Sequence, residues 1–222
     1  MTTNSSGSSD YRGRLRQLGM DADQLKEALG ASNQERGRCD LDHCSKSAPG
    51  YYAYNGMLSS MSRQMSADGW ERHDPMSMPL MINHDTRTVA GVTSGDQYTG
   101  LIIPGERPTT RNPKGELTRA LIKRNRDRNE TALIEISEFS PTKELLDRIS
   151  EYNFWLVLVY FDKDSSLIRC EVSKPITANS KGHPQSWEQR IILPPYDIGP
   201  IDLGDDDPND GFDPIDIPLT RR

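Results

Sequence analysis

The stretch NFWLVLVYF, residues 153–161, decides which fold classes remain open. It is a near-continuous apolar run, which is typical of a central strand buried on both faces of a sheet. The DKDSS that follows predicts a turn into LIRCEVSKP, so these two segments form a hairpin. SWEQRIILPP adds a last strand, which Pro194 and Pro195 end because proline cannot donate to a ladder. Residues 153–161 therefore predict the centre of a β-sheet.

The remaining core segments surround this sheet. MPLMINHDTRTVAGVTSG predicts two strands around the turn NHDT, and TALIEISEF alternates as another strand. SPTKELLDRISEY predicts a helix with Ser140 as its N-cap and Pro141 in its first turn. We expect an α+β fold with a mixed or antiparallel sheet of about five strands and helices on one side.

The N-terminal part predicts a helical annex. DYRGRLRQLGM and DADQLKEALGAS form two short helices with Asp10 and Asp21 as N-caps, and AYNGMLSSMSRQMSADGW forms a third. Methionines recur in the third at helical spacing, which favours core packing over a cofactor or partner groove. The predicted organisation is a disordered N-terminus at 1–9, a helical segment at 10–68, an α+β core at 69–196 and an acidic disordered tail at 197–222.

Composition narrows the class of protein. The 222 residues are 34% hydrophobic and 27% charged, which is polar for a globular chain. Neither an apolar run long enough for a membrane nor a charged-then-apolar leader is present, so we expect a cytoplasmic protein with no membrane partner. The three cysteines are an odd number, and free thiols are expected in that compartment.

The net charge of −6 is unevenly distributed. Eight aspartates and two arginines between residues 197 and 222 account for all of it, so residues 1–196 are neutral overall. Such a tail of Asp, Pro and Gly buries too little surface to offset its ordering entropy. We expect it to cover a basic groove or to recruit a basic partner.

The most basic part of the chain is TRNPKGELTRALIKRNRDRNET, residues 110–131. Helical spacing places three cations on one stripe and the apolar residues on the opposite side, and three more cations lie in the preceding loop. This pattern suits a helix that lies against phosphates, and it equally suits a solvated helix face. The candidate nucleic-acid contacts are Arg107, Arg111, Lys114, Arg119, Lys123 and Arg126.

Other motifs point less clearly to chemistry. GDQYTG and GLIIPG lack the Lys and hydroxyl that a nucleotide-binding loop needs after its second glycine. Cys39, His43 and Cys44 are weak candidates for a Zn²⁺ site, because structural zinc normally has two ligand pairs. Residues 96–113 form a long Gly-, Pro- and Thr-rich loop, a type that is often functional. His183 is interpreted as a structural or exposed histidine.

A metal-dependent nuclease is the alternative activity, and Mg²⁺ would be its cofactor. Its centre needs carboxylates and a lysine that converge on one edge of the sheet. Glu171 and Lys174 lie three residues apart, so a regular strand points them to opposite faces. The candidate catalytic residues are Glu135, Asp162, Glu171 and Lys174.

The leading hypothesis is a non-enzymatic, nucleic-acid-associated protein that uses its basic loop and helix to bind the anionic surface of DNA or RNA. No cofactor is expected for this role. A metal-dependent nuclease-like hydrolase is the alternative. A protein–protein interaction module that uses the N-terminal helices or the acidic tail is the third.

Overall fold

The computed structural model describes residues 10–40, 42–127, 141–199 and 209–212. The helices are α1 (Tyr11–Gln17), α2 (Ala22–Arg36), α3 (Ala48–Ala67), α4 (Glu116–Arg126) and α5 (Pro141–Arg148). The strands are β1 (Glu71–His73), β2 (Leu80–Asn83), β3 (Thr88–Ser94), β4 (Asn153–Asp162), β5 (Leu167–Ala178), β6 (Pro184–Ile192) and β7 (Tyr196–Asp197). None of the described helices combines the length and the hydrophobicity that crossing a membrane requires.

β4 is a central strand, as its apolar run predicts. The sheet order is β1-β2-β3-β4-β5-β6, and β7 pairs with β5 beyond the end of β6. The β3–β4 pair is parallel, and the other five strand pairs of the described sheet, including β4–β5, are antiparallel. The parallel β3–β4 pair needs a long crossover, and α4 and α5 lie within it. The α+β class and the mixed sheet are therefore confirmed.

One face of the sheet is covered by the three N-terminal helices. Leu15 of α1, Leu29 of α2 and Met57 of α3 share one hydrophobic cluster with Val157 and other residues of the sheet. The methionine stripe of α3 is part of this cluster, so it serves core packing. The cap of α2 is also as predicted, because the Asp21 carboxylate accepts hydrogen bonds from two backbone N–H groups of the first turn.

The opposite face is covered by α4 and α5. Leu121 and Leu146 pack there against Phe154, Leu156 and Leu158 of β4. The helices thus lie on both faces of the sheet and not on one. The reason is β4 itself, because a strand that is apolar on both sides has to be covered on both sides.

The sheet has seven strands rather than about five. The extra strands, β1 and β7, have three and two residues and read ERH and YD. Neither has the apolar alternation by which a strand is recognised, since both lie at the edge of the sheet. The predicted strand at 131–139 and its flanks lie outside the described residues.

A short piece of the predicted acidic tail packs into the core. The Asn209 side chain accepts a hydrogen bond from the Phe161 N–H (2.7 Å) and donates one to the Phe161 carbonyl (3.0 Å). The Phe212 ring is fully buried between the rings of Tyr54 and Phe161, with centroids 5.6 and 5.9 Å away. Residues 209–212 therefore anchor this part of the chain. The predicted disordered segments at 1–9, 200–208 and 213–222 lie outside the described residues.

Candidate functional site

The loop after β3 returns to pair with the end of that strand. The Asp96 N–H donates to the Thr109 carbonyl and the Arg111 N–H donates to the Ser94 carbonyl, each at 3.1 Å. These bonds make residues 109–111 a short antiparallel extension of the sheet. The loop is therefore held by backbone hydrogen bonds at its base.

A buried ion pair holds the middle of the loop. Glu171 is fully buried, and its carboxylate accepts hydrogen bonds from Arg190, the Ser173 hydroxyl (2.7 Å) and the Gly100 N–H (2.8 Å). Arg190 also donates to the Leu101 carbonyl at 2.9 Å. A buried carboxylate is tolerated only when its charge and lone pairs are satisfied. Because two donors come from β5 and β6 and one from the loop, the pair fastens the loop to the sheet.

A cleft of about 740 Å³ opens between this loop and the turn that precedes β6. We call it the basic cleft, because three cationic side chains and a histidine line it. A single carboxylate is among its lining residues. Its charged lining residues and its histidine are Arg107, Arg111, Lys181, Asp96 and His183.

The histidine of the basic cleft has a defined orientation. His183 Nδ1 lies 2.9 Å from the Thr110 carbonyl oxygen, which can only accept, so Nδ1 carries a proton. The backbone of His183 is held by Asn179, whose side chain accepts its N–H at 2.9 Å. Nε2 is therefore the ring nitrogen left for a ligand in the cleft.

The carboxylate of the basic cleft has an unusual environment. Burial raises the pKa of Asp96, and the negative charge of Glu171 acts in the same direction, whereas backbone hydrogen bonds from Thr109 and Tyr98 oppose the rise. The Tyr98 N–H donates to the Asp96 carboxylate at 3.1 Å, which fixes its position. Asp96 therefore titrates closer to neutral pH than an ordinary aspartate does.

The turn of the cleft is joined to the start of α4. The Lys114 N–H donates to the Gly182 carbonyl at 3.1 Å. Gly182 has φ +95°, and a Cβ there would lie 2.6 Å from the Lys114 carbonyl oxygen, so only glycine fits. The basic cleft and α4 are thus parts of one surface.

α4 presents its cations as the helical spacing predicts. Arg119, Lys123 and Arg126 are exposed, whereas Leu117 and Leu121 are buried against the sheet. The other end of the helix is held by Asn125, which bonds to the backbone of β4 and β5. The cationic stripe is consequently fixed in orientation.

Lys114 differs from the other predicted contacts. Its side chain is 9% exposed, and its ammonium donates to the Thr93 hydroxyl at 2.7 Å. Lys114 is consequently absent from the lining of the basic cleft. Arg107 and Arg111 do line it; Arg107 donates to the Glu106 carbonyl, and Arg111 lies 4.0 Å from Asp210.

The structure does not bring the predicted nuclease residues together. Asp162 pairs with Arg169 at 3.2 Å, Glu171 with Arg190, and Lys174 with Glu188 at 2.9 Å. Each described member therefore has a separate ionic partner, and Glu135 lies outside the described residues. Across residues 10–40, 42–127, 141–199 and 209–212, no three His, Cys, Asp or Glu side chains are arranged to hold a metal ion.

Two members of the cysteine cluster, Cys39 and Cys44, lie within hydrogen-bond distance of each other. His43 is largely exposed and contacts Asp40 through Nδ1 at 3.0 Å. Burial and a hydrogen bond with Cys44 raise the pKa of the Cys39 thiol to about 11, so it is protonated at neutral pH. All three cysteines are free.

Sequence reasoning missed three residues of the basic cleft. Asp96 lies in the loop that was expected to be functional, so its position carried a signal. Lys181 and His183 follow Thr109 by more than 70 residues, and hydrogen bonds of Thr109, Thr110 and Lys114 with residues 182–184 bring them near. No local pattern could have indicated them.

A second depression, the helical groove, lies between α2 and α3. It is larger, about 890 Å³, and its charged residues are three carboxylates and two cations. These are Asp23, Glu27, Glu35, Lys26 and Arg63. Tyr52 also lines it and is 43% exposed. Its balance of charge makes it a poor site for phosphates.

Comparison with protein-family models, with curated proteins and with solved structures found no match to this chain.

Proposed function

We propose that this protein binds nucleic acid by its phosphates, through the basic cleft and the exposed stripe of α4. The observation that carries the proposal is the convergence of Arg107, Arg111, Lys181 and His183 on one cleft. Sequence alone placed only the two arginines near one another. Cations that gather from separate segments around one concavity concentrate positive potential there.

The continuity of the surface supports a polymer as the ligand. The turn that carries Lys181 is hydrogen-bonded to Lys114, two residues before α4, and the helix from Arg119 to Arg126 then extends the charge. The two arginines are seven residues apart, so about 10 Å of helix separates them, which matches the rise of about three nucleotides at 3.4 Å each. A small anion would need the cleft alone, whereas a strand would contact both parts.

Arginine is well suited to this role. Its planar fork binds phosphate oxygens in pairs, and each such contact releases counterions from the nucleic acid. Affinity should therefore fall steeply as salt concentration rises.

Binding should be measured by fluorescence anisotropy with labelled single-stranded RNA, single-stranded DNA and duplex DNA. We expect binding at about 50 mM salt that weakens at least tenfold at about 200 mM. Arg107→Ala/Arg111→Ala should weaken it about a hundredfold, since each lost charged contact costs about 1.5 kcal/mol.

The matched control is Lys26→Ala/Arg63→Ala, which removes the same charge from the helical groove. It should leave affinity within about twofold, because exposed charges farther than a Debye length are screened. No binding at low salt, or equal losses in the two double variants, would refute the proposal.

A protein partner at the helical groove is the second candidate. Tyr51 and Tyr52 are 48% and 43% exposed at the first turns of α3, and exposed tyrosines are enriched in protein interfaces. Cross-linking at these tyrosines tests it, since a specific partner must be lost when both are replaced by serine.

A further inference from the structure

The basic cleft contains an acid–base pair as well as cations. Asp96 and His183 both line it. They lie on opposite sides of residues 109–111, because Asp96 pairs with Thr109 through its backbone and His183 bonds to the Thr110 carbonyl. Side chains that reach inward from such positions can flank one phosphodiester group.

We propose that the basic cleft cleaves single-stranded RNA without a metal ion, with Asp96 as general base and His183 as general acid. This inference rests on the proposed function, since the RNA must first bind. It differs from the nuclease predicted from the sequence in its residues and in its chemistry.

The reaction is an internal transesterification. The Asp96 carboxylate takes the proton of a ribose 2′-hydroxyl, and the O2′–P bond forms as the P–O5′ bond breaks. The proton on His183 Nε2 passes to the leaving O5′. The products are a 2′,3′-cyclic phosphate and a 5′-hydroxyl end, and water then restores both side chains to their starting protonation states. No redox partner or metal is needed.

The environment of each group suits its role. His183 in its protonated form keeps the Nδ1–H bond to Thr110 and points its second proton from Nε2. Burial raises the pKa of Asp96, which makes its carboxylate a stronger base than that of an exposed aspartate. A fixed position for both groups lowers the entropic cost of reaching the reactive geometry.

Beside a base and an acid, the reaction needs stabilisation of the charge that develops on the phosphate, and the cations of the cleft supply it. A phosphate gains negative charge as O2′ attacks, and Arg107, Arg111 and Lys181 line the same cleft. Charged donors placed where such charge develops stabilise the transition state. The 2′-hydroxyl is the nucleophile, so RNA is a substrate and DNA is not. In-line attack also needs a flexible strand, because a stacked duplex holds O2′ away from the line of the P–O5′ bond.

The test uses the full chain, EDTA and a single-stranded oligonucleotide with a fluorophore and quencher. One probe is all RNA, one is all DNA, and one is DNA with a single ribonucleotide. We expect cleavage of the first and third only, with a 2′,3′-cyclic phosphate detected by mass spectrometry. The variants Asp96→Asn and His183→Asn keep a hydrogen-bonding group at each position and should each lower kcat/KM about a hundredfold or more.

Anisotropy with the DNA probe and with 2′-O-methyl RNA is measured in parallel on the same preparations. Probes that bind while the RNA stays intact would overturn the inference and leave the proposed function standing. Absence of binding to every probe would overturn both. Equal cleavage by wild type and both variants would assign the activity to a contaminant, whereas Glu27→Gln, in the helical groove, should retain the wild-type rate.

Discussion

The basic cleft and the helical groove are similar in size and opposite in construction. The cleft, about 740 Å³, is walled by a loop and a turn and lined by cations, whereas the groove, about 890 Å³, lies between two helices and has mixed charges. The cleft depends on a buried ion pair, and the groove depends on the close approach of α2 and α3. Volume alone would therefore select the wrong site for an anion.

The largest expected effect is the loss of the ion pair beneath the cleft. Glu171→Gln leaves Arg190 buried without its charge partner, which should lower the free energy of unfolding by about 3–5 kcal/mol. Amide hydrogens of the loop from Asp96 to Arg111 should exchange faster, because Gly100 and Leu101 lose their anchor. Urea denaturation and hydrogen exchange by mass spectrometry measure both.

Glu27→Gln in the helical groove is the control for this variant. Its carboxylate is exposed, so the free energy of unfolding should change by less than about 0.5 kcal/mol. If Glu171→Gln unfolds at the wild-type urea concentration, the ion pair does not hold the cleft.

The second effect concerns the groove. A Cβ at Gly56 of α3 would lie 2.7 Å from the Ala31 carbonyl oxygen of α2, so Gly56→Ala forces the helices apart. We expect a loss of about 1–3 kcal/mol in thermal or chemical denaturation. Nucleic-acid affinity should stay unchanged, because the groove is separate from the basic cleft.

Gly13→Ala tests the same substitution without a close neighbour. Gly13 lies in α1, and its nearest contact would be 3.5 Å away, so alanine should raise stability by about 0.5–1 kcal/mol. If both alanine substitutions changed the free energy of unfolding in the same direction, the Gly56 effect would not originate in packing.

A third effect lies outside both depressions. Hydrogen bonds from His73 and His84, with the charge of Arg148, lower the pKa of Glu71 to about 2. A lowered pKa stabilises the fold above the unfolded value of about 4.5, and this contribution is lost as pH falls towards 2. Because Glu71 is about half exposed, we expect less than about 1 kcal/mol. Urea titrations between these pH values should show a shallower pH dependence in Glu71→Gln, and parallel curves would exclude this linkage.

The smallest effect is at the rim of the basic cleft. The Asp210 carboxylate lies 4.0 Å from Arg111, and both side chains are partly exposed. Asp210→Asn should raise nucleic-acid affinity by up to about fivefold at low salt, as an exposed pair contributes up to about 1 kcal/mol. Anisotropy measures this, and an unchanged or lower affinity would show that Asp210 does not compete with phosphate.

Much of the fold could be predicted because its signals are local. The run at 153–161 identified β4, the methionine spacing identified α3, and the proline after Ser140 identified the start of α5. β1 and β7 were missed, since strands of two or three polar residues have no period of their own. A strand that is apolar on both faces requires helices on both faces of the sheet, whereas the expectation from the sequence placed them on one side.

The candidate site also has one part that the sequence could predict and one part that it could not. The exposure of Arg119, Lys123 and Arg126 followed from their spacing on α4. Lys114 could not be placed by that argument, because it precedes the helix and its ammonium is buried against the Thr93 hydroxyl of β3.

The sequence by itself determined the elements of this protein, the neutral charge of residues 1–196 and the cationic stripe of one helix, because each depends on neighbours along the chain. Only the tertiary structure decided that Asp96 and His183 flank one short strand, and that Glu171 is buried in an ion pair with Arg190. The physical reason is that hydrogen bonds between distant backbone segments create the basic cleft, and no periodic pattern records which segments will meet.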